Sequence, residues 1–247
     1  MDITISQIIS NTNGQSLNVE GLSKEVLRRL SEIIEQAEAG PQPVRRNAHL
    51  ELQVPIGISV RHVHLCPEHV KILFGEGHDL NSFQELYQKG YYAAKEQVMV
   101  VGRRRCIETV RVLGPTRPVS QVELAQTDAL MLGVKLPIAT DGTDPACKPV
   151  TLVGPEGVVN LPGKGQGGAF IARRHMHMSD VTAAQLNLKD GDLVDMHVDG
   201  PRPATLQGIL VRIKAGWRNE VHLDTDEGNA LGIRSGQLGT LLIPARA

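Results

Sequence analysis

Two short stretches of the chain share a chemical phrase. "VRHVHL" spans residues 60–65 and "RRHMHM" spans 173–178, so Arg61-His62-Val63-His64 returns as Arg174-His175-Met176-His177 in a chain with nine histidines. On a β-strand, residues i and i+2 project from the same face, so each phrase sets two imidazoles side by side. Neutral imidazole is the commonest metal ligand, and two on one face are half of a tetrahedral zinc site. A single HxH is more often an exposed strand. Two copies with matching arginine and apolar flanks point to metal binding.

Further ligands must come from other segments. "NEVHLDTDEGNA" carries His222 and Asp224 on one strand face, followed by a very acidic turn, and "SQVELAQTDA" carries Glu123 in a stretch short of charge. Each of these alone reads as a surface-strand histidine or a solvated carboxylate. His49, His69, His78 and His197 have no such partners and read as ordinary histidines. No Ser-His-Asp or Cys-His spacing stands out, which favours direct attack between bound substrates over a covalent intermediate. Cys66, two residues after His64, is the one candidate nucleophile, although Pro67 ends the strand there. Arg103-Arg104-Arg105 reads as a solvated turn, with contact to the phosphates of a bound ligand as the alternative.

The elements that must hold these residues are mostly strands. "LELQVPIGISV", "EQVMVVG", "CIETVRVLG", "PVTLVG", "DLVDMHV", "ATLQGILVRI", "NEVHLDT" and "LGTLLIP" are short β-like runs separated by Gly, Pro and Asp. That spacing predicts small barrels or sandwiches. A short helix is predicted after each HxH: Pro67 opens "EHVKILFG", and Ser179-Asp180 caps "VTAAQLNL". The phrases are offset by 113 residues (175 minus 62), about half the chain, and each is followed by a short helix and then by "GHDL" or "GDL". This is the mark of a duplicated architecture. "LPGKGQGGAF" lacks the frame of a phosphate-binding P-loop and reads as a flexible or sharply bent connector.

Residues 1–47 differ. "GLSKEVLRRLSEIIEQAEAG" places Val26, Leu27, Leu30, Ile33, Ile34 and Ala37 on one helical face, with Ser23 as N-cap and Gly40 past the end. "PQPVRRN" then reads as a linker. The helix either packs on the body or a second copy, or serves as a docking peptide.

Composition narrows the classes. The chain has 247 residues, a formal charge of −1, 41% hydrophobic and 21% charged residues. A net charge near zero gives no global field to recruit nucleic acid or an acidic membrane. Aromatic residues are only 3%, too few for a base-stacking platform. Three scattered cysteines without CxxC fit a reducing compartment. No apolar run reaches bilayer length and no signal-peptide pattern opens the chain, so a soluble intracellular protein is expected.

At "VPIGISVRHVHL", "LGPTRPVSQVELAQTDA", "RRHMHMS" with "GDLVDMHVDG", and "VHLDTDEGNA" the chain resembles the PduL-type phosphotransacylases, the phosphate propanoyltransferases of bacterial microcompartments. The similarity runs from about Val54 to near the C-terminus, with the blocks in the family's order. The resemblance implies an acyltransferase interconverting acyl-CoA plus phosphate with acyl phosphate plus CoA, for propanoyl or acetyl groups. It implies a mainly β fold of two β-barrel domains capped by short α-helices, beside the N-terminal helical extension at 1–47. The barrels would interleave, one from residues 48–60 with 166–247 and the other from 61–165. A homodimer is implied, located in a microcompartment lumen or the cytoplasm, with shell or core proteins as partners of residues 1–40.

The resemblance also assigns residues. Two zinc ions per chain are implied, one on His62, His64 and Glu123 with the CoA sulfur in the fourth place. The other takes His175, His177 and His222, completed by water or phosphate. Arg117 in "GPTRP" falls on the phosphate-contacting arginine, and Gln121 and Arg212 fall on substrate-pocket residues. Three departures stand out. Val60 replaces a small polar residue, "TDGTDPACKP" lacks a serine-containing segment, and Gly228 stands where alanine is usual.

Two other classes compete with this reading. A di-zinc hydrolase of the metallo-β-lactamase type would continue HxHxDH, whereas the chain continues "LCPEH" and "MSDVT". A non-catalytic zinc-stabilised barrel would close each metal with four protein ligands, whereas each implied set has three.

Overall fold

The computed structural model describes residues 49–244. The amphipathic helix predicted after Ser23 and the linker at 41–47 lie outside the described residues. The described chain is mainly β, with a closed six-stranded barrel, a large separate sheet and short helices. No helix among the described residues is long and apolar enough to cross a membrane.

The barrel runs in the order β1 (His49–Ser59), β14 (Glu220–Asp224), β11 (His175–Met178), β13 (Ala204–Ile213), β12 (Leu193–Val198) and β15 (Leu238–Pro244). β1 joins strands more than 100 residues away in sequence: it pairs antiparallel with β15 and parallel with β14. Its alternation explains the insertion. Val54 and Ile56 are buried in the barrel core with Met176, Met196, Val211, Leu223 and Ile243. A strand with an apolar face must bury that face, and here the barrel supplies the cover.

The second sheet is ordered β7 (Ile138–Ala139), β10 (Gly168–Ala172), β6 (Gln121–Leu124), β2 (His62–His64), β5 (Cys106–Gly114), β4 (Tyr92–Val101), β8 (Val150–Val153) and β9 (Val158–Leu161). β3 (Ser82–Glu85) pairs with β4 off that path, making nine strands. The implied second barrel is therefore, in its pairing, a nine-stranded sheet with β7 and β9 at its ends. Residues 168–172, which the resemblance assigns to the first barrel, supply β10 to this sheet and pair with β6. The connector at 162–167 bends sharply, with Gly163, Gly165 and Gly167 all at positive φ, and then becomes the fully buried start of that strand. Val63, Leu65, Val98, Val112, Val122 and Leu152 form its core.

Four short helices are present among the described residues. α1 (Pro67–Phe74) and α3 (Asp180–Gln185) follow the two HxH strands as predicted. Pro67 opens α1, and the Ser179 hydroxyl accepts from Thr182 N at 3.0 Å to cap α3. α2 (Gln126–Leu132) and α4 (Thr225–Leu231) follow β6 and β14. Both end on a left-handed glycine, Gly133 at φ 70° and Gly232 at φ 69°, a conformation in which a Cβ is costly. The "very acidic turn" after His222 is the first turn of α4. Its acids are there to cap: Asp224 accepts from Glu227 N at 2.8 Å, and Glu227 accepts from Asp224 N at 3.1 Å.

α2 and α4 also meet. Thr127 donates its N–H and hydroxyl to the two carboxylate oxygens of Asp226, at 2.8 and 2.6 Å. This contact joins the sheet to the barrel beside the strands that carry the site.

Candidate active site

Each HxH lies on a strand whose middle residue is buried. Val63 and Met176, both fully buried, point into the sheet core and barrel core respectively, so their flanking histidines face the other way. The neighbouring strands then decide what stands opposite. β2 pairs antiparallel with β6, placing His62 against Glu123 and His64 against Gln121. β11 pairs antiparallel with β14, placing His175 against His222 and His177 against Glu220. In both halves the third member of the set faces the first histidine of the HxH.

Two compact clusters result: His62, His64 and Glu123, and His175, His177 and His222. In each, the possible ligand atoms lie within 4.8 Å of one another. His62 Nε2 is 3.4 Å and His64 Nε2 3.6 Å from the Glu123 carboxylate. Ligand atoms about 2.0–2.2 Å from one tetrahedral zinc are separated by roughly 3.3 Å, so the spacing suits a metal. The imidazoles are also aimed. Nδ1 of His62 bonds the Val60 carbonyl at 2.8 Å, that of His64 the Leu113 carbonyl at 3.2 Å, and that of His175 the Arg173 carbonyl at 2.9 Å. A carbonyl only accepts, so each Nδ1 carries the proton and each Nε2 keeps a free lone pair, as in metal-binding histidines. In the second cluster, His177 Nδ1 is buried without a hydrogen bond, and the buried His222 Nε2 faces the Glu220 carboxylate. Both clusters could hold a metal ion.

The third member of each cluster has a helper two residues earlier. Gln121 donates from Nε2 to Glu123 Oε1 at 2.7 Å, while its Oε1 accepts from Gly142 N at 3.0 Å. Both ends of this amide are engaged, so Gln121 links Glu123 to the backbone of Gly142. Glu220 stands in the equivalent place, its carboxylate 3.0 Å from His222 Nε2. The pairing follows charge: an amide donor beside an anion, and a carboxylate beside an imidazole. Glu220 also accounts for Gly57, where a Cβ would lie 2.7 Å from Glu220 Oε1. Neither the composition nor the spacing of the sequence singles out Glu220.

A cleft of about 1090 Å³ reaches both clusters and is also lined by Arg117, Arg212, Trp217 and Tyr91. His62, Glu123, His175 and His222 further border one small gap, so the clusters are neighbours. Arg117 is held by its N–H on the Leu65 carbonyl at 2.9 Å, with Nη1 3.9 Å from Glu123. Arg212 stands in register with His177 on β13. Arg117 and Arg212 bring two guanidinium forks to this lining, a geometry that matches phosphate oxygens. Cys66 is buried at the N-cap of α1 and does not line the cleft, so it is not placed as a nucleophile. Arg103, Arg104 and Arg105 form an exposed turn. His69, His78 and His197 bond Ser120, Glu96 and Thr205, outside the cleft wall.

Burial and charge set the protonation of the clusters. Burial, then His62, pushes His64 down to about 3. Burial, then His222, pushes His175 to about 4 and His177 to about 2. Burial opposes charge on His62 as well, but the Glu123 carboxylate outweighs it and holds this imidazole above its ordinary value. Burial likewise opposes ionised Glu123, yet His62, His64 and Arg117 together hold it well below the carboxylate range. His64, His175 and His177 are therefore neutral at pH 7, the form that binds metal.

These shifts predict the acid response of the metal-free chain. His64, His175 and His177, together with His69, which burial also lowers, take up protons near 6.5 only after unfolding. Each destabilises the fold as pH falls below about 6.5. His62 acts oppositely, contributing stability that is present below about 6.5 and lost as pH rises through its folded value. Four groups oppose one, so the urea midpoint in chelator should fall between pH 7.5 and 5.5. A midpoint that is constant or rises over that window contradicts the burial of these neutral imidazoles.

The sequence pattern of the family described as Phosphate propanoyltransferase matches residues 55–234. A Phosphate propanoyltransferase of Lachnoclostridium phytofermentans is 44% identical over 190 residues, covering 76% of this chain and 87% of that protein. One from Planctopirus limnophila is 48% identical over 180 residues, covering 72% of each. One from Alkaliphilus metalliredigens is 32% identical over 219 residues, covering 89% of this chain and 97% of that protein. With two compact clusters and two arginines on one cleft and this degree of similarity, the chain belongs to the phosphate propanoyltransferase family and is an enzyme of the transferase class.

Proposed function

We propose that this chain interconverts acyl-CoA plus phosphate with acyl phosphate plus CoA, using propanoyl or acetyl groups, and that it carries two zinc ions. The observation that carries the reading is the pair of three-residue clusters beside Arg117 on one cleft. His62, His64 and Glu123 would hold one ion, and His175, His177 and His222 the other. Bound there, zinc would supply Lewis acidity and stabilise a soft thiolate.

The chain's own groups bind and orient. Arg117 offers a planar fork that matches two phosphate oxygens and leaves a third free to face the thioester carbonyl. Arg212, on the same wall, adds positive charge where the substrates are anionic. In the forward direction a phosphate oxygen forms a bond to the carbonyl carbon, the C–S bond breaks, and CoA leaves as thiolate. Holding both reactants in line removes the entropic cost of their encounter, worth roughly 7–11 kcal/mol in well-oriented systems. Three ligands per cluster leave room for a substrate atom, which supports catalysis over a structural metal. A hydrolase would use the same clusters but would not need phosphate.

Purified protein should release CoA from propanoyl-CoA only when phosphate is present, and equal release in phosphate-free buffer would identify a thioesterase instead. Arg117→Lys keeps the charge and loses the fork, so kcat/KM for phosphate should fall roughly 10–100-fold, the scale of one charge-assisted hydrogen bond. Its metal content and acyl-CoA affinity should stay near wild type. Glu123→Gln replaces an anionic ligand with a neutral one and should lower both metal content and turnover. Unchanged phosphate kinetics in the first variant, or full metal and activity in the second, overturns the corresponding role.

We also propose that the enzyme is a homodimer and that residues 1–40 dock on shell or core proteins of a microcompartment. The apolar helical face spelled by Val26, Leu27, Leu30, Ile33 and Ile34 supports this reading, because such a face can lie in a groove of a partner. Deleting residues 1–46 should leave folded, active enzyme and abolish co-sedimentation with shells. Retained co-sedimentation, or loss of folding, overturns the docking role.

A further inference from the structure

The arginine that precedes each HxH is not used by the chemistry above, although it recurs with it. Arg61 Nη2 lies 2.9 Å from Asp128 Oδ1, whose side chain is 2% exposed. Arg174 Nε lies 2.7 Å from Glu227 Oε1. The two acids hold the same place in the fold. Asp128 is the third residue of α2 and Glu227 the third residue of α4, each five positions after Glu123 or His222. Each carboxylate also accepts from its helix N-cap backbone: Asp128 from Ala125 N at 3.1 Å, and Glu227 from Asp224 N at 3.1 Å.

We propose that these pairs are two equivalent latches that set the geometry of the metal clusters. One carboxylate oxygen holds the backbone two residues after the third ligand, and the other holds the arginine next to the first histidine. A latch therefore spans from the HxH strand to the strand that completes its cluster. The halves reach the same end differently. The shorter acid meets the far end of its arginine, Nη2 of Arg61, and the longer acid meets the nearer Nε of Arg174. Ala125 has no side-chain acceptor, so Asp128 supplies only half of a capping box, whereas Asp224 and Glu227 complete theirs. The exchange that is kept in both halves is the one that reaches the arginine. Such residues act through the ligands and are positioning residues, of the kind whose loss costs about 10–100-fold in metal affinity.

This inference rests on the metal reading, and one set of titrations separates the two. Full-length chain stripped with chelator is titrated with Co²⁺ alone, followed by visible absorption. Wild type should take up two ions, His175→Ala should keep only the cluster at His62, and His62→Ala only the cluster at His175. Adding Asp128→Asn should weaken Co²⁺ about 10–100-fold in the His175→Ala background and leave the His62→Ala background unchanged. Glu227→Gln should show the reverse pattern. The melting temperature of the metal-free protein should fall alike in both backgrounds, so a merely structural role cannot reproduce the selectivity. Arg61→Met and Arg174→Met, made on the more exposed partners, give the same comparison should an acid variant fail to fold, and the Arg→Lys variants should recover part of the affinity. Wild-type protein that binds no Co²⁺ overturns the metal reading and the latches together. Two ions bound with unchanged affinity in the acid and arginine variants, or equal losses in both clusters, overturns the latches alone.

Discussion

The site depends on strand register. Because side chains alternate along a strand, a slip of one residue between β2 and β6 would send Glu123 to the core face and bring Val122 or Leu124 opposite His62. The same slip between β11 and β14 would remove His222 from His175. Register is strongly specified only where one face is buried, and both HxH strands meet that condition. Val63 and Met176 are fully buried, and so are their antiparallel partners Val122 and Val221. Hydrophobic burial on one face thus fixes polar geometry on the other. That coupling explains why so short a phrase as HxH can define a site.

The surroundings of the clusters follow from the same constraint. Burying several imidazoles is unfavourable for their charged forms, so three of the six cluster residues are pushed to low pKa and stay neutral. The one anionic member, Glu123, is stabilised by His62, His64 and Arg117 and fixed by the Gln121 amide. The second cluster has no anionic member, and Glu220 stands beside it. Arg117 and Arg212 line the same cleft as both clusters. The Thr127–Asp226 contact ties the helices that follow Glu123 and His222, so sheet and barrel present the clusters together.

Much of this was legible in the sequence, for identifiable reasons. The HxH strands, the helices after them and eight β-runs follow from alternation and from Pro67 and Ser179. Glu123 and His222 could be assigned only through family resemblance, because the register that brings them to the histidines spans 61 and 47 residues respectively. The helices after them were missed despite a signal: Asp224-Thr225-Asp226-Glu227 is a capping box, and Gly133 and Gly232 are helix ends. Seven-residue helices leave too little periodicity to outweigh an acidic, turn-like composition. Glu220 and Gln121 lie two residues before His222 and Glu123 on the same strand faces, but nothing marks them until those two residues are themselves assigned. The open pairing of the large sheet was hidden because "GAF" at 168–170 follows a glycine-rich bend that masks a buried strand.

The most direct test of the account is anomalous X-ray scattering at the zinc edge from crystals of the purified, metal-loaded enzyme. Two separate peaks per chain are predicted, one enclosed by His62, His64 and Glu123 and the other by His175, His177 and His222. A single peak shared between the clusters, a peak held by other residues, or none at all would contradict it.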